Sequence, residues 1–438
     1  VQTVIGPTGR GPVGLVPLPL RPAYSAGGGS DGTATGNQRE GRGQMAGRVV
    51  LVTGVTRYIG SELAGRLARD PGVDRVVGVD AALPEPAARS RMGDAEFVRV
   101  DIRNPLISRV LETAGVDTVV HASASAPAPS SAARALAKEM NVLGTMQLLA
   151  ACQRSDTVRS LVVRSTSLVY GSSPRDPAVF TEDTPARSVP SSGPGRDAVD
   201  IEAYVRGFSR RRPDVRVALP RFADLIGPTI RTPLARYFAL TPVVPLVLGR
   251  NARLQLIHES DAVALLHTLA LGDVAGPINA AGDGVLTVSQ AIHRAGRVPL
   301  PVPGAGLGVL SRAMQQLRIG GFSPALVSQL ATGRVMDTTR MTRDVGFVPR
   351  FTTESAFDDF AAALPPLLTP DLIRQAERTV ARTLRVDPAP ATIAPDDEPV
   401  VEPVGATVPA PVTRHLVSVP DAAVVTPLAR PHRPRRTR

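Results

Sequence analysis

Arg48-Val-Val-Leu-Val-Thr53-Gly54-Val55-Thr56-Arg57-Tyr58-Ile59-Gly60 reads as a buried strand that breaks at a glycine and turns into a helix. A glycine turn between strand and helix lets the backbone approach a pyrophosphate, which then rests on the helix N-terminus. The next strand is Val76-Val-Gly-Val-Asp80, with an acid at its end. A carboxylate there accepts hydrogen bonds from a ribose diol and repels a 2′-phosphate, so it favours NAD over NADP. Asp80 is followed by Ala81 and Ala82 rather than by a basic residue, which points the same way. The competing reading of Asp80 is a strand-end cap.

Outward from this turn, apolar strands alternate with helical segments from residue 45 to about 362. The pattern predicts strands at 48–53, 75–79, 96–100, 117–121, 159–165 and 215–219. It predicts helices near 58–69, 104–114, 131–154 and 196–211. That alternation argues an α/β fold, a doubly wound parallel sheet with helices on both faces. Prolines interrupt the rhythm at 225–256 and 280–335, which predicts a smaller C-terminal lobe. Residues 363–385 carry a last helix, opened by Thr369-Pro370-Asp371. Residues 1–44 and 386–438 lack an apolar period and are expected to be disordered tails, the second with a basic end. The first tail has two open readings, a genuine extension or a gene start placed upstream of Met45.

Composition narrows the function classes. Lysine and arginine total 50, yet Lys138 is the only lysine. The net charge of +11 is therefore an arginine bias, as a GC-rich genome produces, and not a nucleic-acid footprint. Aromatic residues make up 3% of the chain, too few for stacking platforms. Cys152 is the sole cysteine, so no disulfide framework and no cysteine-based metal site is expected. The longest apolar candidate, Phe238 to Leu248, is short and broken by Pro242 and Pro245, so no membrane span is expected. The default compartment is a bacterial cytoplasm.

Further motifs keep register with the glycine turn. Asp101-Ile102 follows the third strand, His121-Ala122-Ser123-Ala124 ends the fourth, and Asn141-Val-Leu-Gly-Thr145 lies within a long helix. Ser165-Thr166-Ser167-Leu-Val-Tyr170-Gly171 ends the next strand. Downstream come Arg221-Phe-Ala-Asp224-Leu-Ile-Gly227-Pro228, His258-Glu-Ser-Asp261, Asp337-Thr-Thr-Arg340 and Gly346-Phe-Val-Pro349. In this order they resemble the extended short-chain dehydrogenases of the NAD-dependent epimerase/dehydratase family, over roughly 46–362. The resemblance implies a Rossmann-type frame, NAD as cofactor and a nucleotide-sugar-type small-molecule substrate; a homodimer is a further expectation. It implies cofactor contacts from Gly54, Arg57, Tyr58, Ile59, Gly60, Asp80, Asp101, Ile102, His121, Ala122, Ser123 and Asn141. Arg57 stands where the TGxxGxxG pattern has its middle glycine. Two readings stay open: Arg57 folds outward and pairs with phosphate, or it fills the site and abolishes binding.

The family works through a Tyr-x-x-x-Lys pair, in which an ammonium one helical turn away lowers the phenol pKa from about 10. Here the pair cannot exist in any register. The five tyrosines are Tyr24, Tyr58, Tyr170, Tyr204 and Tyr237, and four residues beyond them stand Gly28, Glu62, Pro174, Phe208 and Thr241. Alignment of Ile201-Glu202 with the family pattern puts Pro194 at the tyrosine and Ala198 at the lysine. Thr166 falls on the family's catalytic hydroxyl position. Asp197 is the speculative proton carrier, set against its reading as a first-turn acid that complements the helix dipole. Three functions remain open: an epimerase or dehydratase with unorthodox acid/base groups, a non-catalytic dinucleotide-binding regulator, and a scaffold without cofactor.

Overall fold

The computed structural model describes residues 4–5, 47–123, 131–186, 190, 193–303 and 324–365, with helical fragments at 374–375 and 378–379. The expected tail beyond 386 and most of the expected last helix lie outside the described residues, as does nearly all of 1–46.

The strand before the glycine turn is β2 (Arg48–Thr53), preceded among the described residues by β1 (Val4–Ile5). It is followed by β3 (Val73–Asp80), β4 (Glu96–Arg99), β5 (Thr118–His121) and β6 (Ser160–Val163). Then come β7 (Ser165–Thr166), β8 (Arg216–Phe222), the lobe strands β9 (Asp224–Ile226), β10 (Val243–Val247), β11 (Arg253–Leu254) and β12 (Leu256–His258), and β13 (Gly276–Ala280). They form one sheet in the order β1-β4-β3-β2-β5-β6-β8-β13, with β7 on β8. Every pairing is parallel except Val4–Ile5, which lies antiparallel on β4 at the edge. Strands buried on both faces read as continuous apolar runs, which is why Val49 to Val52 or Leu161 to Val163 show no alternation.

One face is covered by α1 (Tyr58–Ala68), α2 (Pro86–Met92) and α8 (Glu259–Leu271), which pack Leu63, Leu67, Met92 and Leu266 on Val50, Val52 and Val120. The other is covered by α3 (Leu106–Ala114), α5 (Gly144–Arg154) and α6 (Gly193–Arg211), which bury Leu111, Leu148, Val205 and Phe208 on Leu51, Val119 and Leu161. The helix expected over 131–154 is not uniform. It runs α4 (Ser131–Lys138), a π-helical turn at Glu139–Leu143, then α5. The π turn falls on Asn141, whose poor helix propensity had called for a local reason. The short helix α2 and the long helix α8 were not anticipated in the sequence.

The C-terminal lobe has its own core, with Leu234 and Phe238 of α7 (Pro233–Phe238), Leu254, Leu286, Ile292 and Phe357 among its buried residues. Phe238 meets Phe357 edge to face, 5.0 Å between ring centres. The lobe is tied to the sheet where Asp224–Ile226 (β9) leaves β8 and pairs in parallel with Leu256–His258. No helix among the described residues is long and apolar enough to cross a membrane.

Candidate functional site

The strand order reverses between β2 and β5, so the connections after these two strands diverge and leave a crevice at their carboxyl ends. Gly54 sits there at φ 76°, and a Cβ on it would collide with the Ser123 hydroxyl at the end of β5. A Cβ on Gly60 would strike the Gly54 carbonyl, so α1 can approach the turn only with glycine there. A cavity of about 380 Å³ opens above, lined by Gly54, Thr56, Arg57, Asp80, Ile102, Ser123 and Asn141 among others. That volume falls in the range of small-molecule sites, roughly 300–1,000 Å³.

Asp80 does two jobs. Its Oδ2 accepts from the Thr56 hydroxyl at 2.7 Å and the Thr56 N–H at 3.2 Å. Its Oδ1 accepts a long contact, 3.4 Å, from the Ala82 N–H, and the residue lines the cavity. One side chain therefore both caps the turn and lines the cavity. Arg57 is exposed and lines the same cavity, so its side chain does not fill it. Its charge is felt by Arg164 at the end of β6, whose pKa burial first, and Arg57 second, push down to about 10. Arg164 donates to the Ala122 carbonyl at 3.3 Å, while its Nε is buried without a partner.

The remaining expected contacts divide. Ile102, Ser123 and Asn141 line the cavity. Asp101 does not; it is bonded to Arg103 through the backbone N–H at 2.9 Å and the guanidinium at 2.7 Å. That pairing holds the Asp101 carboxyl below its ordinary pKa. Ile59 and Gly60 are buried in the first turn of α1, under the glycine turn. Tyr58 is partly buried, with its phenol pushed up to about 12 by burial and then by Glu259. Ala122 is buried in the core beneath.

His121 is 2% exposed, and both ring nitrogens are engaged. The Thr145 hydroxyl donates to the Asn141 carbonyl at 2.5 Å, so its oxygen accepts from His121 Nε2 at 3.0 Å. Nδ1 then accepts from the Thr53 hydroxyl at 2.8 Å. This fixes the neutral Nε2–H tautomer, and burial pushes the pKa from 6.5 down to about 4. The unfolded chain takes the proton first. Stability from this site is therefore complete above pH 6.5 and falls as pH drops toward about 4. His121→Gln should flatten acid destabilisation in that window, as read from urea midpoints; an unchanged slope would mean the imidazole is not sealed.

At the other end of the crevice, Thr166 caps a short 3-10 turn, its hydroxyl accepting from the Leu168 N–H at 3.3 Å. Behind it lies a buried polar network. The Ser165 hydroxyl donates to Glu202 at 2.6 Å, and Arg221 grips both Glu202 oxygens at 3.0 and 2.7 Å. Arg221 also donates to the Tyr170 hydroxyl at 3.0 Å, which donates to Asn279 at 2.7 Å. Tyr170 is thus a bonded core residue, not a free phenol. Asp197 is fully buried on α6, while Asp200 pairs with Arg196 at 3.0 Å. Pro194 and Ala198 lie on the same helix, Ala198 packed in the core. Among the described residues no group of three His, Cys, Asp or Glu side chains could hold a metal ion.

Sequence reasoning missed Thr56, Arg164 and Arg334. An arginine closing the apolar run Leu161-Val-Val-Arg164 was a visible signal. Nothing local marks Arg334, because its partners Ser167, Gly171 and Ser172 are about 160 residues away.

Comparison with known proteins agrees with this frame. The model of the NAD dependent epimerase/dehydratase family matches residues 50–279. An uncharacterized protein of Mycobacterium tuberculosis (strain ATCC 25618 / H37Rv) is 47% identical over 332 residues, 75% of this chain and 88% of the relative. Among solved structures, UDP-glucose 4-epimerase from Thermotoga maritima with UDP-glucose superimposes with a TM-score of 0.56 at 19% identity, over 72% of this chain and 98% of that one. dTDP-glucose 4,6-dehydratase from Bacillus anthracis, in complex with NAD, gives 0.56 at 18% identity, over 72% and 96%. At such identities the likeness is one of fold.

Proposed function

The chain belongs to the NAD dependent epimerase/dehydratase family, and on that premise we propose that it holds NAD over the Gly54 turn and recognises a nucleotide-sugar-type small molecule without orthodox epimerase chemistry. The observation that carries the first half is the open cavity over the turn, with Arg57 and Asp80 both among its lining residues. The glycine turn fits a pyrophosphate, since a side chain at Gly54 or Gly60 would close it. Asp80 would take the ribose diol, and Ile102 and Met140 would flank the base. Arg57, at the cavity and immediately before α1, puts a positive charge beside the turn, suited to the phosphates. When bound, NAD supplies a hydride acceptor and donor. The second half rests on the missing lysine and on the engaged state of His121 and Tyr170, which leave no orthodox proton carrier beside Thr166. The protein would then act by binding, as a dinucleotide-dependent regulator or scaffold.

A second reading, turnover through a carboxylate, is favoured by Asp224. It stands in the position of an asparagine in the family pattern, two residues beyond Phe222, the β8 partner of Thr166. Burial pushes its carboxyl above the ordinary range. Asp197 is the other carboxylate of this reading.

Titration of the full chain with NAD and NADP, followed by thermal shift, tests the binding claim. A ligand at 100 times its dissociation constant adds about 2.7 kcal/mol to the folded state. NAD is expected to bind more tightly than NADP. Asp80→Asn should weaken NAD by roughly 1–3 kcal/mol, while Thr56→Val, which spares the carboxylate, should weaken it less. Tighter NADP binding, or no response to either nucleotide, would overturn the reading.

A further inference from the structure

Opposite charges stand at the two sides of the crevice. On the β3 side, Asp80 is the only carboxylate among the residues that line the cavity over the Gly54 turn. On the β6 side stands Arg164, the residue that follows Val163 at the end of that strand. Its guanidinium donates to the Ala122 carbonyl at 3.3 Å, one residue before the cavity-lining Ser123. It also lies 5.9 Å from the ring of Phe222, the last residue of β8. The cation therefore spans the carboxyl ends of β5, β6 and β8.

Nothing nearby neutralises it. Among the described residues no carboxylate pairs with Arg164 or with Arg57. Glu202, behind Ser165, is already gripped by Arg221, and His121 is neutral. Burial, and then the Arg57 charge, push the Arg164 pKa down to about 10. Arg164 thus stays charged at neutral pH, in surroundings that already resist positive charge.

A dinucleotide lies across such a crevice. With its adenosine ribose at Asp80 and its pyrophosphate over the Gly54 turn, its nicotinamide half falls toward β5 and β6. The oxidised ring is a pyridinium cation, whereas the reduced ring is neutral. We infer that the site prefers NADH to NAD⁺, and that Arg164 sets the preference by repelling the pyridinium. The inference rests on the reading that NAD is held over the Gly54 turn, and adds which redox state is held. A protein that acts by binding then responds to the reduced share of the dinucleotide pool without turning it over.

The test is calorimetric titration of the full chain with NAD⁺, NADH and ADP-ribose, which keeps the pyrophosphate and both riboses but has no nicotinamide ring. NADH is expected to bind about tenfold or more tighter than NAD⁺, the effect of one like charge held close in a part-buried site. ADP-ribose should match or exceed NAD⁺, because the charged ring adds repulsion. Arg164→Lys keeps the charge and should keep the ratio. Arg164→Gln should bring the ratio toward one, chiefly by tightening NAD⁺. Arg57→Gln should weaken all three ligands by a similar factor, since they share the pyrophosphate. Where Arg164→Gln does not fold, the wild-type order of the three ligands still decides. NAD⁺ bound as tightly as NADH, with ADP-ribose also bound, would overturn this inference and leave the NAD reading standing. A preference for NADH that survives intact in folded Arg164→Gln would overturn it as well. Failure of all three ligands to bind would overturn both.

Discussion

Purified protein supplied with NAD and UDP-glucose or UDP-galactose is expected to show no 4-epimerisation at rates typical of such enzymes. A positioned acid/base group contributes about 10²–10⁴-fold, and the lysine that would tune it is absent from every candidate position. The surrounding groups do not replace it. His121 is locked neutral between Thr53 and Thr145, and Tyr170 is held between Arg221 and Asn279. Thr166 can orient a hydroxyl, but its own pKa keeps it from carrying the proton at neutral pH. Pro194→Tyr with Ala198→Lys is the constructive probe. Pro194 sits in the first turn of α6, but Ala198 is 7% exposed, so the new lysine must reach out of a packed position. Weak activity at most is expected from the double variant. Brisk wild-type turnover that survives Thr166→Ala but is lost in Asp197→Asn or Asp224→Asn would show that a carboxylate does the proton work.

Glu202→Leu is expected to destabilise the protein by about 3–5 kcal/mol, the cost of leaving one member of a buried ion pair alone. Glu202 is 2% and Arg221 11% exposed, and two short hydrogen bonds join them. The substitution strands Arg221 and orphans the Ser165 hydroxyl beside Thr166. Such a loss is a large share of a typical folding stability, roughly 5–15 kcal/mol. Leucine at 202 with Arg221→Met should recover much of it, because no buried charge then remains, although Tyr170 and the Glu182 carbonyl lose a donor. Urea midpoints at constant m-value give the comparison. A loss below about 1 kcal/mol would mean the pair is solvated, as surface pairs are.

The two results together bear on what a chain of this family keeps when its acid/base pair is gone. The Glu202–Arg221 network supports the Ser165–Thr166 loop whether or not chemistry follows. A folded, NAD-responsive and inactive protein is therefore the expected combination.

Much of the frame was legible in the chain itself. Strand β2, its glycine turn and Asp80 are local features: apolar runs mark strands buried on both faces, and a positive φ at Gly54 calls for glycine. The absence of a Tyr-x-x-x-Lys pair needs no coordinates at all, since Lys138 has Arg134 four residues before it. Helix α8 and the short α2 escaped notice, the first because it is apolar nearly all round and carries little periodic signal. What only the tertiary structure decided are contacts between distant segments. It set an exposed Arg57 at the cavity and bonded Asp80, another lining residue, to Thr56. It tied Asp101 to Arg103, away from the cavity wall. It also brought Arg334 against Ser167, Gly171 and Ser172. The physical reason is range: periodicity and turn chemistry act over a few neighbouring residues, whereas the partner of a buried charge is chosen by whichever segment the packed sheet carries to it.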